Sequence, residues 1–84
     1  MVNKGHLRQL ELFTTAHCAL CDEVMAMLLG MPNLAGWRIT TRDVALDDAL
    51  FQKYAERIPV LRHGDRELAA PFTQQELEAW TLVG

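Results

Sequence analysis

Two cysteines three positions apart, in Cys18-Ala19-Leu20-Cys21, are the residues of this chain best suited to covalent chemistry. On a helix this spacing sets the second sulfur one turn beyond the first, close enough to resolve a disulfide that the first has formed with another molecule. Only a thiolate attacks a disulfide, and cysteines in such motifs have pKa values of roughly 3.5 to 7.5 against about 8.5 for a free thiol. With Cys18 at the first helical residue, unpaired backbone N–H groups favour its thiolate. His17 adds positive charge when protonated, whereas Asp22 and Glu23 oppose the thiolate while suiting a helix N-terminus, so a moderate effect is expected.

Other readings of the pair stay open. With two of His6, His17 and His63 the cysteines have the composition of a Cys2His2 zinc site. Against it, His17 adjoins Cys18, which is not a finger spacing, and the surrounding strand-helix pattern needs no metal to fold; no metal site is expected. Inert structural thiols are the third reading. A permanent disulfide is not expected in a reducing cytosol, where the chain is placed because no leader-like block or long apolar run is read in it.

The dithiol needs a strand before it and a helix after it, and the pattern supplies both. Leu7 to Phe13 reads as a strand and Thr14 to His17 as a loop. From Cys18 to about Leu29, Leu20, Val24, Met27, Leu28 and Met31 share one helical face, stopped by Gly30 and Pro32. Met25, Met27 and Met31 are read as packing. Trp37, Ile39 and Val44 suggest a second strand. Asp47 caps a helix through about Arg57, with Leu46, Leu50, Phe51, Tyr54 and Ala55 on its inward side. Ile58 to Leu61 is a short strand beginning at a proline, and His63-Gly64-Asp65 turns into a fourth near Glu67 to Ala69, with His63 a solvated turn residue. After Pro71, Thr73 and Glu76 have capping-box spacing for a last helix carrying Leu77, Trp80 and Val83. Trp80 and Phe72 read as packing residues, and Phe72 is also a candidate for lining the groove over the dithiol.

The order βαβαββα implies an α/β fold: a four-stranded mixed sheet with helices on both faces, parallel in its first half and closed by an antiparallel hairpin. Reactive groups in such sheets collect beyond the carboxyl end of a strand, where Cys18 lies. The 84 residues make one domain, 1–84, with a modest core whose stability a disulfide can influence. A net charge of -3 argues against nucleic acid, and Arg57, Arg62 and Arg66 are diluted by Asp65 and Glu67 into a mixed solvated face. No membrane association is expected.

The run Leu12-Phe13-Thr14-Thr15-Ala16-His17-Cys18-Ala19-Leu20-Cys21-Asp22-Glu23, together with Arg57-Ile58-Pro59-Val60-Leu61, resembles the glutaredoxin-like branch of the thioredoxin superfamily across nearly the whole chain. The resemblance implies a thioredoxin-like fold, Cys18 as nucleophile, Cys21 as resolving thiol, and Pro59 as a cis-proline facing them. It also implies that the backbone of Ile58 pairs with a bound thiol substrate like an added strand. Two departures stand out. Ala19-Leu20 replaces the usual proline and aromatic residue between the cysteines, and Leu68-Ala69-Ala70-Pro71-Phe72 replaces the Gly-Gly turn that helps hold glutathione.

The expected function is thiol-disulfide exchange on a protein or low-molecular-weight disulfide, by a monomer with no bound cofactor. Glutathione or a thioredoxin-reductase-type system is the external reductant. The alternative is a non-enzymatic redox-sensing or protein-interaction module of the same fold.

Overall fold

The computed structural model describes residues 8–83; His6, Leu7 and the side chain of Val83, all invoked above, lie outside what it describes. Strand β1 (Gln9–Thr14) leads into helix α1 (Ala19–Leu29). A short 3-10 turn and strand β2 (Arg38–Asp43) follow, then a second 3-10 turn, helix α2 (Asp48–Tyr54), strands β3 (Val60–His63) and β4 (Arg66–Ala69), and helix α3 (Gln74–Val83). The strands form one sheet in the order β2-β1-β3-β4. β1 and β2 are parallel, with Leu10 beside Ile39 and Leu12 beside Thr41. β3 runs antiparallel to β1, Leu61 opposite Leu12, and pairs in turn with β4.

The two-residue period of β1 divides the core. Leu10 and Leu12 point to one face and meet Val24, Leu28, Met31 and Leu34 from the α1 side, Leu77 from α3, and Leu61. Phe13 points to the other face, where Val44, Tyr54 and Val60 form a smaller cluster beneath α2. Its ring stacks on that of Tyr54 with centroids 4.2 Å apart. Glu11 shares the Phe13 face and is half-buried, forming ion pairs with Arg42 at 2.9 Å and Arg62 at 3.9 Å. This pairing explains a carboxylate in a central strand.

Local chemistry accounts for the element ends. Met31 is extended because a residue before proline is driven from the helical region, so α1 stops there. Gly30 has φ -94° and makes no use of a left-handed conformation. Asp47 caps α2 by accepting from the Leu50 N–H at 3.1 Å. The capping box at α3 is formed in both directions: the Glu76 N–H donates to Thr73 Oγ1 at 3.0 Å and the Thr73 N–H to Glu76 Oε1 at 2.8 Å. Gly64 opens the β3–β4 turn with φ +62°, which suits the twist of a two-residue hairpin.

Several expected positions are corrected. Helix α2 ends at Tyr54, not near Arg57, and its apolar face is not the one the periodicity suggests: Leu46 is 85% and Phe51 52% exposed. The segment that links β2 to β3 starts and finishes at the same end of the sheet, so α2 is short and only Leu50 and Tyr54 reach the core. Leu20 is likewise exposed. Val44 is buried as expected but sits in a 3-10 turn rather than in β2. His63 is not a solvated turn residue. It belongs to β3, its Nδ1 lies 3.0 Å from the Gln9 carbonyl, and its ring packs between Trp37 and Trp80, at 5.1 and 6.4 Å. Arg66 leaves the solvated face as well, stacking over Trp80 and donating to that residue's carbonyl at 2.8 Å.

Candidate active site

The dithiol stands where β1 gives way to α1. Leaving Thr14, the chain turns at Ala16 and His17, and His17 takes φ 61°, a left-handed conformation uncommon outside glycine and more accessible to histidine than to bulky residues. That turn sets Cys18 at the N-cap of α1 with extended backbone, φ -109° and ψ 100°. Its sulfur takes the place of the usual capping oxygen and accepts from the Cys21 N–H at 3.1 Å. Cys18 and Cys21 are joined as a disulfide, with Cα atoms 5.2 Å apart. The two sulfurs are unequal: Cys18 is half-buried at the surface, whereas Cys21 is 2% exposed.

The strand register brings the second sequence segment to the same end of the sheet. Val60 lies opposite Phe13, so Pro59 flanks the point where β1 leaves for the dithiol. The Ile58–Pro59 peptide is cis and Pro59 is buried. Ile58 turns its side chain to the Phe13, Val44 and Tyr54 cluster, and its N–H donates to the Tyr54 carbonyl at 3.1 Å. Of the other candidate binding residues, His17 is exposed beside Cys18, while Phe72 packs against the main core. The Ala70–Pro71 peptide preceding Phe72 is also cis.

A groove of about 370 Å³ borders Cys21 on its β2 side, lined by Thr14, Thr15, Cys21, Asp22, Thr41 and Asp43 among others. Of these only Cys21 and Asp22 were given a part in the chemistry from the sequence. The signal for Asp43 lies in the parallel pairing of β2 with β1, which sets Asp43 next to Thr14.

Residues 9–82 match the profile of the glutaredoxin-like domain (DUF836). The chain belongs to the glutaredoxin-like domain family. A solved structure of a structural-genomics target protein, XcR50 from X. campestris, is similar to this glutaredoxin-like chain at 32% identity, covering 89% of this chain and 97% of that one with a TM-score of 0.78. No curated protein matches the sequence. The glutaredoxin-like chain has the α/β, thioredoxin-like architecture expected of it. Among its described residues no helix is long and apolar enough to cross a membrane.

Across the sheet from the dithiol face, the hydroxyl of buried Tyr54 donates to a Glu67 carboxylate oxygen. That hydrogen bond is the main cause holding the Glu67 carboxyl below its usual range, with Lys53 and Arg57 adding positive charge nearby. This link fastens α2 to β4 and so steadies the segment that carries Ile58 and Pro59.

Proposed function

We propose that this glutaredoxin-like protein is a thiol-disulfide oxidoreductase acting through Cys18 and Cys21. The observation that carries the reading is the inequality of the two sulfurs at a helix N-terminus: one at the surface beside a backbone N–H, the other buried directly behind it. In the reduced protein the Cys18 thiolate attacks one sulfur of a substrate disulfide. A Cys18-substrate bond forms while the substrate S–S bond breaks, and the released thiolate takes a proton from water. Cys21, giving up its proton, then attacks Cys18 and expels the second substrate thiol, leaving the protein oxidised and the substrate reduced by two electrons. An external thiol reductant, glutathione or a thioredoxin-reductase-type enzyme, returns the pair to the dithiol without any bound cofactor.

Substrate binding falls to His17, Ile58 and Pro59, with Phe72 at the margin. A substrate strand pairing with Ile58 exchanges with the bond from its N–H to Tyr54. The Leu68 to Phe72 segment, with Cβ atoms and a proline ring in place of Gly-Gly, predicts weak glutathione binding. We place the protein as a monomer in a reducing compartment such as the cytosol, where a reductant is at hand.

The test is turnover of a glutathione mixed disulfide and, separately, of an insoluble protein disulfide. Catalysis of either supports the oxidoreductase. Silence with both favours the redox-sensing or interaction module, for which exposed Leu46 and Phe51 offer apolar contact surface.

A further inference from the structure

We infer that Asp22 and Asp43 make the dithiol select cationic disulfides, in which ammonium or guanidinium groups flank the sulfur, over anionic ones such as glutathione disulfide. The inference rests on the exchange reading above and specifies its substrate class. Both aspartates are among the residues lining the groove that borders Cys21, and no Lys, Arg or His lines it with them. Thr14, Thr15 and Thr41 add oxygen atoms to the same groove, suited to accept from an ammonium group.

Arg42, which adjoins Asp43 in the chain, is already engaged, as are the arginines of β3 and of the segment before it. Arg42 and Arg62 pair with Glu11, and Arg57 with Glu67, whereas among the described residues neither Asp22 nor Asp43 enters an ion pair. One Asp43 oxygen accepts from the Ala45 N–H at 2.9 Å, which fixes the carboxylate without neutralising it. Two features favour anions instead: the α1 N-terminus, equivalent to about half a positive charge, and His17 when protonated. Near neutral pH two full negative charges outweigh the half charge. A substrate held on the Cys18 sulfur sits beside the groove, because Cys18 is bonded to Cys21, which lines it, and at low salt, where the Debye length exceeds about 10 Å, the field of the groove reaches it only partly screened.

The experiment uses the pre-reduced protein in single-turnover oxidation. Cystamine, 2-hydroxyethyl disulfide and dithiodiglycolate supply positive, neutral and negative probes, and each rate is divided by that of free dithiothreitol with the same probe to remove leaving-group differences. Acid quenching and mass spectrometry read the rate of Cys18–Cys21 closure. The expected normalised preference for cystamine over dithiodiglycolate is about tenfold at low salt, falling to about twofold near 0.5 M salt. In Asp22→Asn/Asp43→Asn the low-salt preference shrinks about threefold or more, while the side-chain amide introduced next to Arg42 keeps an oxygen that can accept from Ala45. The attacking thiolate repels anions equally in both proteins, so the difference between them reads the carboxylates.

A preference that is absent, or insensitive to salt, in the unaltered protein overturns the inference whether or not the double variant folds. So does a preference unchanged in the folded variant. Reaction with the neutral probe in those cases leaves the oxidoreductase reading standing. Failure to react even with the neutral probe overturns both.

Discussion

The backbone N–H of Cys21 donates to the sulfur of Cys18 at 3.1 Å, so the proposed resolving residue also holds the sulfur of the proposed nucleophile. A cysteine is an unusual N-cap, since serine, threonine, aspartate and asparagine lead at that position. Here the capping position and the proposed attacking position coincide. On reduction the same N–H is placed to stabilise a thiolate at Cys18, whereas among the described residues no hydrogen bond reaches the buried Cys21 sulfur.

Alkylation of the reduced protein at mildly acidic pH should therefore label Cys18 before Cys21. Replacing Cys18 with Ser should abolish exchange, because the hydroxyl is not deprotonated near neutrality. Cys21→Ser should instead accumulate a mixed disulfide on Cys18 after one encounter, unless external glutathione turns it over. Mass spectrometry of each variant after incubation with a disulfide substrate checks the assignment. Equal adducts on both variants, or earlier labelling of Cys21, would reverse the roles.

Tyr54→Phe keeps the ring stacked on Phe13 but removes the hydroxyl that Glu67 accepts from. A hydrogen bond to a charged group is worth about 1.5 kcal/mol or somewhat more, and a loss of that order is expected at neutral pH. The folded-state pKa of Glu67 is lowered, so its contribution is complete above about pH 4.3, where an unfolded glutamate ionises, and is lost as pH falls through the lower folded value. Denaturant titrations of the two proteins should converge below that range and separate above it. A constant difference across the whole range would contradict the link.

His63→Ala should cost about 2 kcal/mol, through lost packing between two indoles and an unpartnered Gln9 carbonyl. A solvated turn residue would change stability by no more than about 0.5 kcal/mol. Chemical denaturation followed by tryptophan emission gives both the stability and the altered surroundings of Trp37 and Trp80.

Two neighbouring apolar residues offer a paired comparison. Val44 is buried against Phe13 and Tyr54, whereas Leu46, in the same 3-10 turn, is 85% exposed. Val44→Ala should destabilise by about 1 to 2 kcal/mol and Leu46→Ala by under about 0.5 kcal/mol. Similar thermal midpoints for both variants would show that the turn is placed otherwise.

What could be read from sequence were features whose chemistry is local. The CxxC spacing, the only partly alternating apolar set Leu10, Leu12 and Phe13, the Asp47 cap and the Thr73-Glu76 capping box each depend on residues a few positions apart, and each lies where its own physics puts it. Together they specify the order of elements and, through right-handed crossovers, the mixed sheet. The candidate nucleophile and its partner were legible for the same reason.

Tertiary structure alone decided which faces meet. Periodicity gives α2 an apolar side but not its short path across one end of the sheet, which leaves Leu46 and Phe51 in solvent and buries Tyr54. It was β-sheet register that lifted His63 out of its turn and set it against Gln9, and helix α3 that brought Trp80 to it from 17 positions away. The acidic groove beside Cys21 is also a product of register: Asp22 and Asp43 are 21 positions apart, and only the parallel pairing of β1 with β2 brings them to one opening. Sequence determines such long-range neighbours only through the packing of all the elements at once, so no local pattern announces them.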